Sequence, residues 1–437
     1  VAAVGDDGKI NGTAFLNTPN VAAATAGLWV TSREAGYSDG LMEGNGNWAP
    51  RIGIVYRPFS QRQIVLRGAY GLFYNSFTGN RSASSAANLP FWGVESLGFG
   101  LSQLQPWETV WNSDPNAFGI FGIGEAVDPR LKAARTQNWN VTLQTALPWK
   151  SALTLSYVGT KVANDVIFVP YNAASVGPHS NLQADRPNRL ISDVQRLENL
   201  SRNWYHALQT KAERRFANGL SFTLSYSFSR SMGESSSGSD EYTSLVPFSP
   251  AWYNRGRTGF DYRHIEFATV VWELPVGRGR SFLSSSNALV NGVLGGWDFA
   301  FTQQGRSGAP LSISGGYSNL GNGWGTRADI VGSPAASNPS PNAWFNTPAF
   351  VRPALYTWGS SSMGVIEGPG AVQFNTNLSK RFRIAEKKDL QLRWEAFNAF
   401  NKVNYNNPST NVASGNYGRI TSAGTARYMQ LALKFNF

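Results

Sequence analysis

Charged residues in this chain recur at alternate positions, and their spacing sets what chemistry they could do. Arg51, Arg57 and Arg67 come early, Lys211, Glu213 and Arg215 form a run, and Arg381, Arg393 and Glu395 lie near the C-terminus. A spacing of two puts such residues on one side of an extended chain. The set reads as ladders of mixed sign lining a wet interior. Cross-strand ion pairing would satisfy the charges there, and the basic excess would also guide an anionic ligand.

Other chemistries lack their parts. The histidines are His179, His206 and His264, none spaced two or four apart, so no metal site is expected. His206 and His264 stand near strand ends among many serines, yet no GxSxG elbow occurs and the serines of 221–229 are explained by strand alternation. No catalytic residue and no cofactor is expected. The segment GGYSNLGNGWG (315–325) lacks a phosphate-loop lysine and a following helix, and reads as a flexible external loop. Asp240 and Glu241, in a Ser-rich stretch, read as solvated loop charges before they read as a calcium site. With no cysteine there are no disulfides or thiolate metal sites.

The elements that must carry these residues are strands. Leu220, Phe222, Leu224, Tyr226 and Phe228 alternate with Ser221, Thr223, Ser225, Ser227 and Ser229, which is the pattern of a strand with lipid on one side and water on the other. Residues 204–216 precede it across Ala217-Asn218-Gly219, a tight-turn sequence. Further hairpins are expected from 51–57 with 64–74, 138–147 with 152–160, 265–274 with 297–305, and 372–382 with 390–400. The last stretch, 426–437, puts Met429, Leu431, Leu433, Phe435 and Phe437 on one face. These give about eleven strands, or about twelve if 27–33 is one.

Short and long connections alternate. The long ones, roughly 75–136, 161–203, 232–263, 306–370 and 401–425, are rich in Gly, Ser, Asn, Pro and Trp. A barrel of the outer membrane has short periplasmic turns and long external loops, and this parity puts Phe437 on the short-turn side. A twelve-residue strand tilted by about 40° projects to roughly 30 Å, the thickness of the hydrocarbon core. Aromatics (13% of residues) fit interfacial girdles: Tyr70, Tyr74, Trp139, Trp204 and Tyr205 near long loops, Trp149 at a short turn, Trp297 and Trp394 within strands. No stretch approaches the roughly 18 apolar residues of a spanning helix. The net charge of +11 is spread along the strands, so outer-membrane lipid, and not nucleic acid, is the expected partner. Val1 is preceded by no initiator Met or apolar leader, so a signal peptide is expected to be cleaved or to lie upstream.

The runs NWAPRIGIVYRP (47–58), VLRGAYGLFYN (65–75), NWNVTLQTALPW (138–149), LSYVGTK (155–161), YHALQTKAERRFANGLSFTLSYSFSRSM (205–232) and RWEAFNAFNKVNY (393–405) resemble the C-terminal barrel half of TonB-dependent receptors. Within that superfamily they are most similar to the Oar-like group, whose members usually carry a carboxypeptidase-regulatory-like domain at the N-terminus. The resemblance implies an energised outer-membrane transporter with a barrel of about 22 strands. It also implies a plug domain that the basic lining would contact, a TonB-type energy coupler, and a C-terminal strand ending in Phe435 and Phe437 that the barrel-assembly machinery reads. The chain shows no plug-like domain and no TonB box, and about half the strands. The expectation is an all-β fold: residues 1–47 as an upstream loop and strand segment, and 48–437 as the C-terminal portion of a transmembrane antiparallel barrel. A non-transporting surface barrel of about twelve strands, with an adhesion, structural or assembly role, and a soluble all-β protein are the alternatives.

Overall fold

The computed structural model describes residues 3–4, 10–11, 46–75, 125–128, 131–187, 189, 193–234, 244–385 and 388–437. Asp240, Glu241 and the possible strand at 27–33 lie outside them. Eleven strands form the main path of one sheet: Arg51–Tyr56 (β1), Ile64–Asn75 (β2), Ala134–Leu147 (β3), Ser151–Pro170 (β4), Gln195–Ala217 (β5), Leu220–Gly233 (β6), His264–Glu273 (β7), Trp297–Arg306 (β8), Ala371–Ala385 (β9), Lys388–Phe397 (β10) and Tyr428–Asn436 (β11). Two short strands join it off this path, Glu125–Val127 on β5 and Gly256–Arg257 on β6. Each of the eleven pairs antiparallel with the one before and after it, an up-and-down meander. Among the described residues nothing pairs with the outer edge of β1 or of β11. Among the described residues no helix is long and apolar enough to cross a membrane.

The register explains why these sequences form this sheet. One row runs Arg67, Thr142, Ser156, Gln209, Ser227 across β2 to β6, and another runs Thr223, Thr269, Thr302, Asn375 across β6 to β9. The intervening rows are apolar: Leu66, Leu143, Leu155 on one side of the sheet's span, and Phe299, Leu378, Trp394, Leu431 on the other. A slip of one residue anywhere would carry a strand's apolar set onto the polar face, so the alternation itself fixes the pairing. The alternation is weakest in β7, where Ile265, Phe267 and Val271 share the polar face with Thr269.

Turn chemistry closes the short end. Asn218 (φ 51°) and Gly219 (φ 76°) form a two-residue loop between Ala217 and Leu220, the left-handed pair that matches strand twist. Trp149 and Lys150 (φ 59° and 58°) turn the chain between Leu147 and Ser151. The segment 383–389, read from sequence as a seven-residue connection, is mostly ladder: β9 continues to Ala385, which pairs with Lys388. The hairpin joining β7 to β8 is in register from Ile265–Arg306 to Glu273–Asp298. Its connection holds a helix, Ala288–Leu294 (α1), capped by Asn287, whose side chain accepts the Val290 amide.

The long-loop side departs from the sequence expectation. Residues 161–170 and 195–203, expected as loop, extend β4 and β5 to 20 and 23 residues. That is roughly 65–75 Å at about 3.3 Å per residue, far more than a bilayer requires. Irregular register at 162–167, with Asn164 at φ 58°, bends β4 where the Asn-Asp pair interrupts the pattern. Above the bend Ile167, Phe168, Leu197 and Leu131 are buried. The connections 306–370 and 401–425 likewise fold together around Ile313, Ala328, Phe345, Phe350 and Ile366, with Val412 and Tyr417 packed against them.

Candidate functional site: the long-loop rim of the polar face

Three strands build the site. Phe267, Gln304 and Gln373 form one cross-strand row of β7, β8 and β9, and Ile265, Arg306 and Ala371 form the next. These rows lie at the strand ends nearest the long loops, and a cavity of about 600 Å³ opens beside them. The Arg306 guanidinium stacks on the Tyr262 ring at 4.5 Å, a cation held against an aromatic face.

Two asparagines hold the opposite wall. Asn404 pairs with the Val372 backbone as an extra strand residue would, Oδ1 accepting its amide (2.8 Å) and Nδ2 donating to its carbonyl (3.0 Å). Asn398, in a left-handed conformation, donates to the Lys402 carbonyl and accepts the Lys402 amide, both at 2.9 Å. With Gln304, Gln373, one arginine and the Glu266 carboxylate beside Phe267 and Tyr262, the wall offers amide hydrogen bonds, one charge of each sign and apolar ring faces. That combination suits a polar organic ligand with flat apolar surfaces.

The folded loops roof this end of the sheet. Arg327, buried in 306–370, donates through Nε to the Ser361 carbonyl (2.8 Å) and stacks on Tyr253 of 234–263 at 3.6 Å. Burial lowers its pKa and raises that of the Tyr253 hydroxyl. The Gly-rich segment 315–325, expected to be flexible, is packed. Leu320, Asn319 and Asn322 are fully buried or nearly so, Asn322 donates to the Ala174 carbonyl (3.0 Å), and Trp324 donates to Asp193 (2.9 Å). Gly321 has φ +80° and lies where a side chain would strike the Gly177 carbonyl, so this glycine serves packing. Burial pushes the Tyr417 hydroxyl up to about 12.

The charged residues singled out from sequence keep their parity, but the expected cross-strand ion ladders do not form. Lys211 pairs with Glu213 of its own strand (2.5 Å) and Arg393 with Glu395 of its own (3.5 Å). Directly opposite them stand Thr154 and Ser225, Ala152 and Thr223, Ser379 and Ala432. Glu395 is met across the ladder by amides, Asn377 at 3.2 Å and Gln430. Arg381 reaches diagonally to Asp389 at 3.7 Å. Arg51, opposite Gly71, covers the Phe73 ring at 4.5 Å, and Arg67 stands between Val55 and Thr142. Arg57 lies one residue past β1, and Arg215 sits in a bulge where it and Phe216 together face Ser221. The reason is the register, which staggers the charges along the strands so that neutral residues fall between them. The candidate cavity uses none of these nine residues. Its signal in the sequence was faint, since Gln304, Gln373 and the pair Asn398 and Asn404 are separated by long stretches that only the meander brings together.

The histidines have partners other than serine. Tyr157 hydroxyl meets His206 Nδ1 at 2.8 Å and Tyr226 hydroxyl meets His264 Nδ1 at 2.7 Å, both on the apolar face. His179 lies in the loops, its Nδ1 2.8 Å from Asp185 and its Nε2 2.8 Å from the Ser175 carbonyl.

The sequence matches the outer membrane beta barrel domain family over residues 6–430, nearly the whole chain. The chain belongs to that family. It resides in the outer membrane. No curated protein matches it. Among solved structures it is similar to the outer membrane transporter YddB from Escherichia coli (12% identity, 90% of this chain on 41% of that one, TM-score 0.49). It is also similar to the FrpB iron transporter from Neisseria meningitidis (12%, 90% on 39%, 0.42) and to P. aeruginosa FpvA, solved bound to heterologous pyoverdines (9%, 90% on 33%, 0.42). The chain thus spans less than half the length of each of these structures.

Proposed function

We propose that residues 48–437 of this outer-membrane barrel domain are the C-terminal portion of the barrel of a TonB-dependent-type transporter of the Oar-like group. It would import a substrate through its polar lumen, with a plug domain and an inner-membrane energy coupler completing the machine. The observation that carries this reading is the polar face that the register carries across the eleven strands, interrupted chiefly by Ile265, Phe267 and Val271 of β7. A lumen-lining role for Arg51, Arg57, Arg67, Lys211, Glu213, Arg215, Arg381, Arg393 and Glu395 belongs to it, as does recognition of Phe435 and Phe437 by the assembly machinery. The motif runs quoted above support the superfamily and its Oar-like branch.

Strand parity supports a larger barrel. β1 and β11 run in the same direction, so antiparallel closure of this meander takes an odd number of further strands. Left open in lipid, each unpaired backbone group along the two edges would cost several kcal/mol. An eleven-strand complement gives the transporter barrel of about 22 strands; a single strand gives a surface barrel of about twelve. The test takes the whole gene product, folded in detergent, and measures binding of a purified TonB periplasmic domain alongside strand number by electron cryo-microscopy. A plugged barrel of about 22 strands that binds the TonB domain is expected. A closed, plugless barrel of about a dozen strands without TonB binding would favour the non-transporting reading.

A further inference from the structure

The β7–β8 connection, residues 275–296, lies at the short-turn rim, where the β5–β6 connection has only the residues Asn218 and Gly219. It folds back on the outside of the sheet. Trp297 and Lys380 are register partners on the apolar face, one step beyond Phe299 and Leu378. Trp297 Nε1 donates to the Val293 carbonyl at 2.8 Å, and the Lys380 ammonium reaches the Asn291 carbonyl at 3.4 Å and also that of Gly292. Both anchors leave the apolar face, so the C-terminal half of α1 sits outside the wall and not beneath the lumen.

Lys380 is held there in three ways. Its ammonium caps carbonyls in the last turns of α1, where cations are favoured, and it lies 5.7 Å and 5.0 Å from the Trp297 and Phe382 ring centres. It is only 5% exposed. On the other side of the helix the apolar residues are open: Leu289 is 81% exposed, Val293 65% and Leu294 51%, with Phe282 at 63% and Leu283 at 46% nearby. This surface continues the lipid-facing belt of β8 and β9. Residues 275–296 contain two arginines, Arg278 and Arg280, and no carboxylate; Arg278 donates to the Ser286 carbonyl at 3.3 Å, and Arg280 reaches Glu273 at the end of β7 at 3.2 Å, which an anionic headgroup would compete for. A Trp-Lys pair beneath an apolar helix with arginines beside it is the composition of an interfacial anchor.

We infer that residues 275–296 form a lipid-binding foot. α1 lies in the periplasmic leaflet's interface with Leu289, Val293 and Leu294 among acyl chains, and Arg278 and Arg280 take the phosphates of anionic glycerophospholipids. The foot would fix the depth and tilt of the barrel wall at β7–β9, since α1 is tied by two side chains to strands of that wall. It requires only a membrane barrel, so its failure would be distinguishable from failure of the transport reading.

The 437 residues contain no cysteine, so L289C carrying an environment-sensitive fluorophore reports from one place in them. The whole polypeptide is folded into phosphatidylethanolamine bilayers with and without phosphatidylglycerol, with S285C as the comparison site. Emission from position 289 is expected to be blue-shifted and quenched by lipids brominated near the headgroup. Phosphatidylglycerol should increase the quenching, and R278Q/R280Q should remove that increase. A label at 289 that reads water in both bilayers overturns the foot. So does a label already shielded in detergent and untouched by brominated lipid, which would mean that protein covers the helix. Quenching that ignores phosphatidylglycerol and the arginines would overturn the phosphate contacts.

Discussion

His179 faces acceptors at both ring nitrogens, the Asp185 carboxylate and the Ser175 carbonyl. Only the imidazolium donates from both, so its pKa is raised above 6.5, chiefly by the Asp185 hydrogen bond and then by the Ser175 carbonyl. A raised folded-state pKa means the stabilisation of the 171–193 loop is complete below the unfolded value and fades as pH rises through the folded one. Limited proteolysis of that loop should therefore accelerate on going from mildly acidic to alkaline buffer, and D185N should flatten the dependence. An unchanged cleavage profile in D185N would refute the coupling. Residue chemistry of this sort was not legible beforehand: the spacing of His179 from the other histidines ruled out a motif and said nothing of Asp185, six positions away.

At the level of elements, period-two alternation made β6 readable from Leu220 to Phe228, and its partner followed from the Asn-Gly turn. The turn carries a measurable cost. Replacing Gly219 by alanine puts a Cβ at φ +76° and 3.2 Å from Glu273, and should destabilise the β5–β6 hairpin by about 1 kcal/mol or more. Urea titration followed by the shift between folded and heat-unfolded gel mobility would read it. The two faces of β11 give a sharper contrast. Leu431 lies in the apolar row with Trp394, while Gln430 lies opposite Glu395. L431R should cost about 2–4 kcal/mol in a bilayer, and Q430R, facing a carboxylate across the ladder, should cost little; equal losses in the same titration would contradict the assignment of faces. What escaped the pattern was β4 and β5 above 160 and below 204, because both faces of Val166–Phe168 and Leu197 are covered by protein and the alternation disappears.

Across the whole molecule, the described parts of the connections 161–203, 234–263, 306–370 and 401–425 form a packed roof. Arg327 joins 306–370 to the 234–263 connection through Tyr253, and Asn322 and Trp324 join it to 171–193. Replacing Arg327 by methionine leaves the Ser361 and Tyr253 carbonyls without their charged donor, at a cost of about 2–3 kcal/mol. Hydrogen exchange should then quicken in all three connections together while β1 to β11 keep their protection. Exchange confined to 306–370 would show that the connections fold independently. Loops rich in Gly, Ser and Asn read as mobile by composition, yet their apolar residues, among them Ile313, Phe345 and Phe350, are spread so that only folding brings them into one core.

The sequence by itself determined the strand class, the long strands of the meander, the turn at Asn218-Gly219 and the division into an apolar and a polar face. Those features depend on neighbours one or two residues away, and alternation records them directly. Tertiary structure decided the pairing of charges along strands, the cavity beside Gln304 and Gln373, the roof of loops and the clasp of Lys380 and Trp297 on α1. Each of these joins residues far apart in the chain, through a register that one strand's sequence does not contain.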